Sequence, residues 1–349
     1  MLAWLGAQAS CLAAGTPAFF AGPIHSDNSG LRGYAMPVEA ATWLDGGAWG
    51  YELGLDAANY WTYENRGSLG MIRQVFETQT LALGLRRGFA LGLPMEARLQ
   101  VALQQSNAGI LNGFISGAES GMASAFGSNY FINDYRSGDF ALKGNSDITR
   151  VGGHTRVRQA DQGAYLGDTQ LGLKAGLYQS GGASLSSRLL LNLPTAAERG
   201  NGAFAGLGLA LAQPSPFSRL QLILDGRMVA PIGDDEMGLP MLPVSFGSTL
   251  GLEWNIGGWL GLPERLSLGL QWNDVQSPYQ STGMRAFDAA QNDLSFGLHH
   301  GISMGARLLT WQLWGREDFF FLPLQGRVLT GWLPYAPPDF QAGLSFSIQ

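Results

Sequence analysis

The sequence predicts an all-β fold, a transmembrane antiparallel β-barrel of about twelve strands (roughly 10 to 14), with short periplasmic turns and long extracellular loops. Three observations carry this. Apolar residues recur at every second position from Trp49 onward, the positions between them hold Gly, Ser, Gln and Asn more than Lys and Glu, and short connections alternate with long ones. Composition removes the alternatives. Charged residues make up 14% of the chain, against roughly a quarter in soluble domains, and of 21 basic residues only Lys143 and Lys174 are Lys. Hydrophobic residues reach 46%, yet beyond the extreme N-terminus no run reads as a spanning helix of ~18 apolar residues. The 50 glycines follow no three-residue period, which excludes collagen. A net charge of -6 and a pI near 5.2 offer no basic surface to nucleic acid. The lone Cys11 leaves the body of the chain without a disulfide or a thiolate metal site.

The strands follow in order. Trp49, Tyr51, Leu53, Leu55 and Ala57 share one face of the first, with Gly50, Glu52, Gly54 and Asp56 opposite, the period of a sheet with unlike faces. Leu81, Leu83 and Leu85 mark the second strand; Ala97, Leu99, Val101 and Leu103 the third; Leu171, Leu173, Ala175 and Leu177 the fourth; and Leu189, Leu191 and Leu193 the fifth. Leu207, Leu209 and Leu211, then Leu220, Leu222 and Leu224, then Leu250, Leu252, Trp254 and Ile256 mark three more. Leu266 to Trp272, Leu294 to Leu298, Leu309 to Leu313 and Phe340 to Ile348 complete the set.

Connections after the even strands are short, around Gly88 to Pro94, Ser180 to Ala183, Pro214 to Phe217, Gly257 to Pro263 and Gly301 to Gly305; those after odd strands are mostly longer. That parity belongs to outer-membrane barrels, and an even strand count places both termini on the periplasmic side of the bacterial outer membrane. Trp49 and Trp61, at opposite ends of one strand, fit two aromatic girdles.

Residues 1–21 read as a signal peptide, because residues 1–24 carry no charge and contain the apolar stretch Leu2 to Ala14, with cleavage near Ala18 or Ala21. Residues 22–46 form a periplasmic or lumen segment, and residues 47–349 the barrel, with a long loop over 106–166. Within that loop Ile110, Phe114, Ala118 and Met122 recur at helical spacing, and Phe126, Tyr130, Phe131 and Tyr135 are candidates for contact with a hydrophobic solute or lipopolysaccharide. On the non-lipid face the alternation places Glu52, Asp56, Arg98, Lys174, Arg219, Asp225, Arg227, Glu253 and Arg316, where opposite charges should pair, since an unpaired buried charge costs several kcal/mol.

Several short signatures, in order, carry a resemblance: Gly22-Pro23-Ile24, Gly167-Asp168 at a strand start, Leu191-Asn192-Leu193-Pro194-Thr195 at a strand exit, Glu317-Asp318, and Pro338-Asp339-Phe340. Together they resemble an uncharacterised proteobacterial outer-membrane β-barrel family catalogued as a domain of unknown function. The resemblance implies a barrel and export, and no established activity. The chain departs from familiar barrels at its last residue, Gln349, where Phe is common.

No constellation for catalysis emerges, so no enzyme, cofactor or metal is expected. His25-Ser26 precedes the barrel, His154 lies in the long loop, and His299-His300 reads as a turn facing the periplasm; none gives a His-x-Ser order suited to lipid hydrolysis. Asp234-Asp235-Glu236 lacks the spacing of a calcium loop, and the Gly206-Leu207-Gly208 run lacks the Lys of a phosphate loop. The partners expected are outer-membrane lipid and lipopolysaccharide, the outer-membrane assembly machinery and a protein partner. The expected role is passive or gated passage of a small solute; the alternatives are a non-conducting structural or assembly partner and, behind it, a lipid-acting enzyme.

Overall fold

A computed structural model describes residues 36–107, 146–159, 164–195, 203–215, 219–233, 239–257, 261–263, 265–279, 282–284, 291–318 and 340–349. All twelve alternating runs are strands, several of them longer than the apolar pattern marks. They are β1 (Trp49–Asn65), β2 (Gly70–Ala90), β3 (Pro94–Asn107), β7 (Thr169–Ser180), β8 (Ala183–Leu193), β9 (Ala203–Pro214), β10 (Leu220–Ile232), β11 (Ser245–Asn255), β12 (Leu266–Val275), β13 (Gln291–Met304), β14 (Arg307–Asp318) and β15 (Phe340–Ile348). Each pairs antiparallel with its neighbours, and β1 pairs with β15 from Tyr51↔Ile348 to Ala58↔Gln341, which closes a ring of 12 strands. The shorter elements β4 (Ser146–Val151), β5 (His154–Gln159) and β6 (Tyr165–Leu166) are additions to this ring.

The faces are arranged as a lipid solvent requires. Leu53, Leu83, Leu189, Leu209, Leu250, Leu270 and Leu313 project outward and exposed, while Asp225, Arg227, Thr249, Gln271, Asn273, Ser295 and Arg316 lie on the inner face and are buried. A soluble barrel would reverse that order. At the short-turn end the Arg87 guanidinium lies 4.3 Å over the Trp49 ring, an apolar plate with a charged cap suited to the membrane interface. Trp61 lies on the same strand.

Short turns join β2 to β3, β7 to β8 and β13 to β14, and the last residue, Gln349, pairs with Leu308 at that same end. The β7–β8 turn is Gly181-Gly182, with φ of 57° and 84°; two consecutive left-handed residues make a turn whose twist matches the strands it joins.

Two features differ from expectation, and a third adds to it. The segment 106–166 is not a plain loop. Its first residues complete β3, and β4 and β5 form a hairpin that extends the β2 edge beyond β3 through pairs from Gly70↔Val151 to Val75↔Ser146. The charges Arg150, Arg156 and Arg158 hide this hairpin from an apolar count. Ile110 to Met122, Phe126, Tyr130, Phe131 and Tyr135 lie outside the described residues, as do Asp234-Asp235-Glu236 and residues 1–35. Secondly, His299 is not in a turn: it sits within β13 and is buried on the inner face. Its neighbour His300 packs edge-on to Trp311, ring centroids 6.0 Å apart. Thirdly, two separated signatures meet at the long-loop rim, where Asn192 Nδ2 donates to Asp168 Oδ2 at 3.0 Å and the Thr195 hydroxyl donates to the Gly167 carbonyl at 2.6 Å.

Candidate functional site

A lumen of eight strands is filled by its own side chains, and one of 16 to 18 is an open channel. Twelve strands leave space, and the chain fills it with its own N-terminal segment. Met36 to Ala41 and Leu44 are buried, although they belong to no strand of the wall. They touch β3, β7, β8, β9, β10 and β14, elements from opposite sides of the ring. Leu44 lies beside Glu96 near the short-turn end, and Met36 packs on Phe204 and Val229 toward the long loops. The segment therefore runs along the lumen as a plug.

Glycines in the wall make the groove that receives it. A Cβ at Gly176 would fall inside the Trp43 indole, and one at Gly206 would stand 2.7 Å from Met36 Sδ. At Gly208 the same atom would meet Arg188 Nε at 2.6 Å and Met36 Cε at 3.2 Å. A shift of register just after Gly176 places a bulge next to the Trp43 contact, a device that re-aims a strand face locally.

Ion pairs hold the lower half of the plug. Glu39 Oε1 accepts from Arg98 Nη1 at 2.9 Å, and Glu39 Oε2 lies 3.1 Å from Lys174 Nζ. Arg98 also reaches Glu52 at 2.8 Å, Arg86 binds both Glu52 and Glu96, and the Leu44 N–H donates to Glu96 Oε2 at 2.9 Å. Lys174 Nζ donates to the Thr42 carbonyl at 3.2 Å. On the wall, Arg86, Arg98 and Lys174 face Glu52 and Glu96, and Glu39 of the plug supplies the third carboxylate. In water such pairs contribute little; walled off from water they are worth several times more.

Above this network Arg188 Nη2 lies 2.8 Å and Arg227 Nε 3.1 Å from the two oxygens of Asp225. Arg227 donates to the Met36 carbonyl at 3.1 Å and to Thr249 Oγ1 at 2.8 Å. Nε and Nη1 of Arg188 are buried without a hydrogen-bond partner among the described residues. Higher still the lining is apolar: Met36, Leu190, Phe204 and Val229 pack together against Met241. Met241 also packs on the rim cluster of Ile72, Val151, Leu239, Tyr279 and Met284. The remaining wall carries Glu253 paired with His299 at 3.0 Å, Arg316 paired with Asp293, and Gln341 Nε2 donating to Asp56 at 3.3 Å.

Of the residues placed on the non-lipid face, Asp56, Lys174, Asp225, Arg227, Glu253 and Arg316 are buried there, with Glu52 and Arg98 beside them in the network. Arg219 is not among them. It stands exposed in the turn before β10, its carbonyl bound to Asn255 N–H, because the strand begins only at Leu220. Sequence reasoning missed Glu39, Arg86, Glu96, Arg188, Asp293 and His299. Arg86 and Arg188 do occupy the polar parity of strands read from their Leu, so that signal existed; Glu39 has none, since its segment has no period.

No family model matches the chain, and no curated protein matches it either. Among solved structures it is similar to an outer membrane channel of Pseudomonas putida F1, with a TM-score of 0.54 and 13% identity over 90% of this chain and 99% of that one. It also aligns with the NanC porin at a TM-score of 0.40 and 10% identity, covering 86% and 99%. A third alignment is with the toluene transporter TodX of Pseudomonas putida, at 0.36 and 10% identity, covering 88% and 90%. At these identities the first likeness establishes the fold, that of an outer-membrane barrel.

Proposed function

We propose that the protein admits a small solute across the outer membrane, and that passage is gated by the segment from Met36 to Leu44. The observation that carries this reading is how that segment is held. It lies in a glycine-lined groove and is fastened by ion pairs and hydrogen bonds to the wall, contacts that can break and reform without disturbing the strand ladder. Removing it from a 12-strand ring would leave a bore between the filled and the open limits. The fold shared with an outer membrane channel points the same way.

Purified full-length protein in planar bilayers tests it. A variant lacking residues 36–44 should give conductance steps that the native chain gives rarely or not at all. Silence from both would favour the second reading, a non-conducting structural or assembly partner, which the tight packing of Gln271, Asn273 and Ser295 on the wall supports. Release of fatty acid from pure lipid would overturn both.

A further inference from the structure

We propose that Glu39 fills a carboxylate-binding subsite, and that the solute is an organic acid with an apolar body whose carboxylate takes Glu39's place. This rests on the passage reading above and names its substrate class.

The wall alone is unbalanced. Among the described residues, Arg86, Arg98 and Lys174 meet only Glu52 and Glu96 of the wall, while Arg188 and Arg227 share the single Asp225. In both groups the cations outnumber the wall's carboxylates. The plug corrects the lower group with a full carboxylate, which receives Arg98 on one oxygen and Lys174 on the other. At the upper group it offers only a backbone carbonyl, that of Met36 to Arg227, and Arg188 keeps two buried nitrogens without hydrogen bonds to any described residue.

A displaced plug would thus uncover a run of guanidinium and ammonium groups whose desolvation is tolerable only with an anion present. The fork of Arg98 with Lys174 beside it suits a carboxylate. The other half of the ligand is also prefigured. Met36, three residues before Glu39, buries its side chain among Leu190, Phe204 and Val229. Three residues of chain reach at most ~10 Å, so an acid with an apolar body of that length meets both the cationic and the apolar linings at once. The apolar contacts continue through Met241 to the long-loop rim, which gives such a body a lined approach. A sugar or a cation has no use for this order of surfaces.

Three probes of one shape separate the chemistries: 3-phenylpropionate, 3-phenylpropanol and 3-phenylpropylamine. Equilibrium dialysis on the full-length protein in non-ionic detergent measures binding to the native chain, to Glu39→Gln, and to Glu39→Gln combined with Arg98→Gln and Lys174→Gln. Glu39→Gln should bind the acid about tenfold or more tightly than the alcohol or the amine, and more tightly than the native chain does. The triple variant should lose that preference. In the native chain, the acid should speed thiol labelling of Ala41→Cys (made with Cys11→Ser) more than the alcohol, a readout independent of whether Glu39→Gln folds.

Equal binding of the three probes, a preference that survives in the triple variant, or equal effects on labelling would overturn the proposal. Conductance separates it from the reading beneath it. If neither Glu39→Gln nor the variant lacking residues 36–44 conducts, but Glu39→Gln prefers the acid, the subsite stands and passage fails. If Glu39→Gln conducts but shows no preference for the acid, passage stands and the subsite fails.

Discussion

Gly176→Val should unseat the plug. Three atoms of the Trp43 indole crowd the point where a Cβ would stand, so the ring must move as a body. Trp43 is flanked by Thr42, whose carbonyl accepts from Lys174, and by Leu44, whose N–H donates to Glu96; moving the ring strains both bonds. Overpacking a filled site costs ~1–3 kcal/mol, and a hydrogen bond to a charged group is worth ~1.5–3 kcal/mol. The lower ends of one of each come to ~2.5 kcal/mol, which shifts the seated fraction by roughly 50- to 100-fold. Ala41, buried against Ala210 and Ala212, is the reporter. As Ala41→Cys on a Cys11→Ser background in liposomes, it should react with an impermeant maleimide tens of times faster when Gly176→Val is added. Gly226→Val is the control, since a Cβ there meets nothing within 4 Å, and it should leave the rate unchanged. Equal labelling in Gly176→Val and the control, with the barrel intact, would refute the plug's dependence on this groove.

Other consequences follow from the same packing. Arg316→Ala removes the guanidinium paired with the buried Asp293 and should destabilise the barrel by ~3–5 kcal/mol in urea unfolding from lipid vesicles; the double variant Asp293→Asn with Arg316→Gln, which removes both charges, should recover most of that loss. Leu209→Arg puts a charge on the exposed lipid face and should cost ~2–4 kcal/mol if it lies near the bilayer midplane, whereas a soluble barrel would tolerate it. A cysteine at Thr249, buried on the inner face, should label far more slowly than one at Gly283, which is exposed between β12 and β13; fast labelling at both would mean the lumen is not filled.

What was legible in the sequence was what repeats locally. The run Leu266, Leu268, Leu270 and Trp272 announces β12 because successive side chains of a strand point to opposite solvents, and the same rule carries Asp225 and Arg227 to the inner face. Ends were read less well. Arg219 obeys the alternation of β10 but lies just before its first residue, where no wall continues, and His299 was read as turn because Gly301 follows it. Residues 22–46 could be read only as a periplasmic or lumen segment, and the seat of the plug could not be read. Its contacts join residues far apart, Glu39 with Arg98 and Met36 with Arg227, and a segment touched on all sides by unlike surfaces needs no periodicity of its own. Its positions are chosen by the wall, through Gly176, Gly206 and Gly208, and nothing in the alternation singles those glycines out.

The seam of the ring has a consequence for how the molecule is built. β1 and β15 lie at opposite ends of the chain, yet their pairing from Tyr51 to Ala58 completes the ring, and the plug ends only a few residues before β1 begins. Once that seam is zipped, Met36 to Leu44 can enter only lengthwise through a mouth, past the charged collar of Arg86 and Glu96 or the apolar rim. Threading is simplest while the sheet is still an open curl, with the N-terminal segment already lying on β3 and β7 as the last strand arrives. The order of assembly would then be written into the chain's connectivity, with the stopper laid in the vessel before the wall is closed around it.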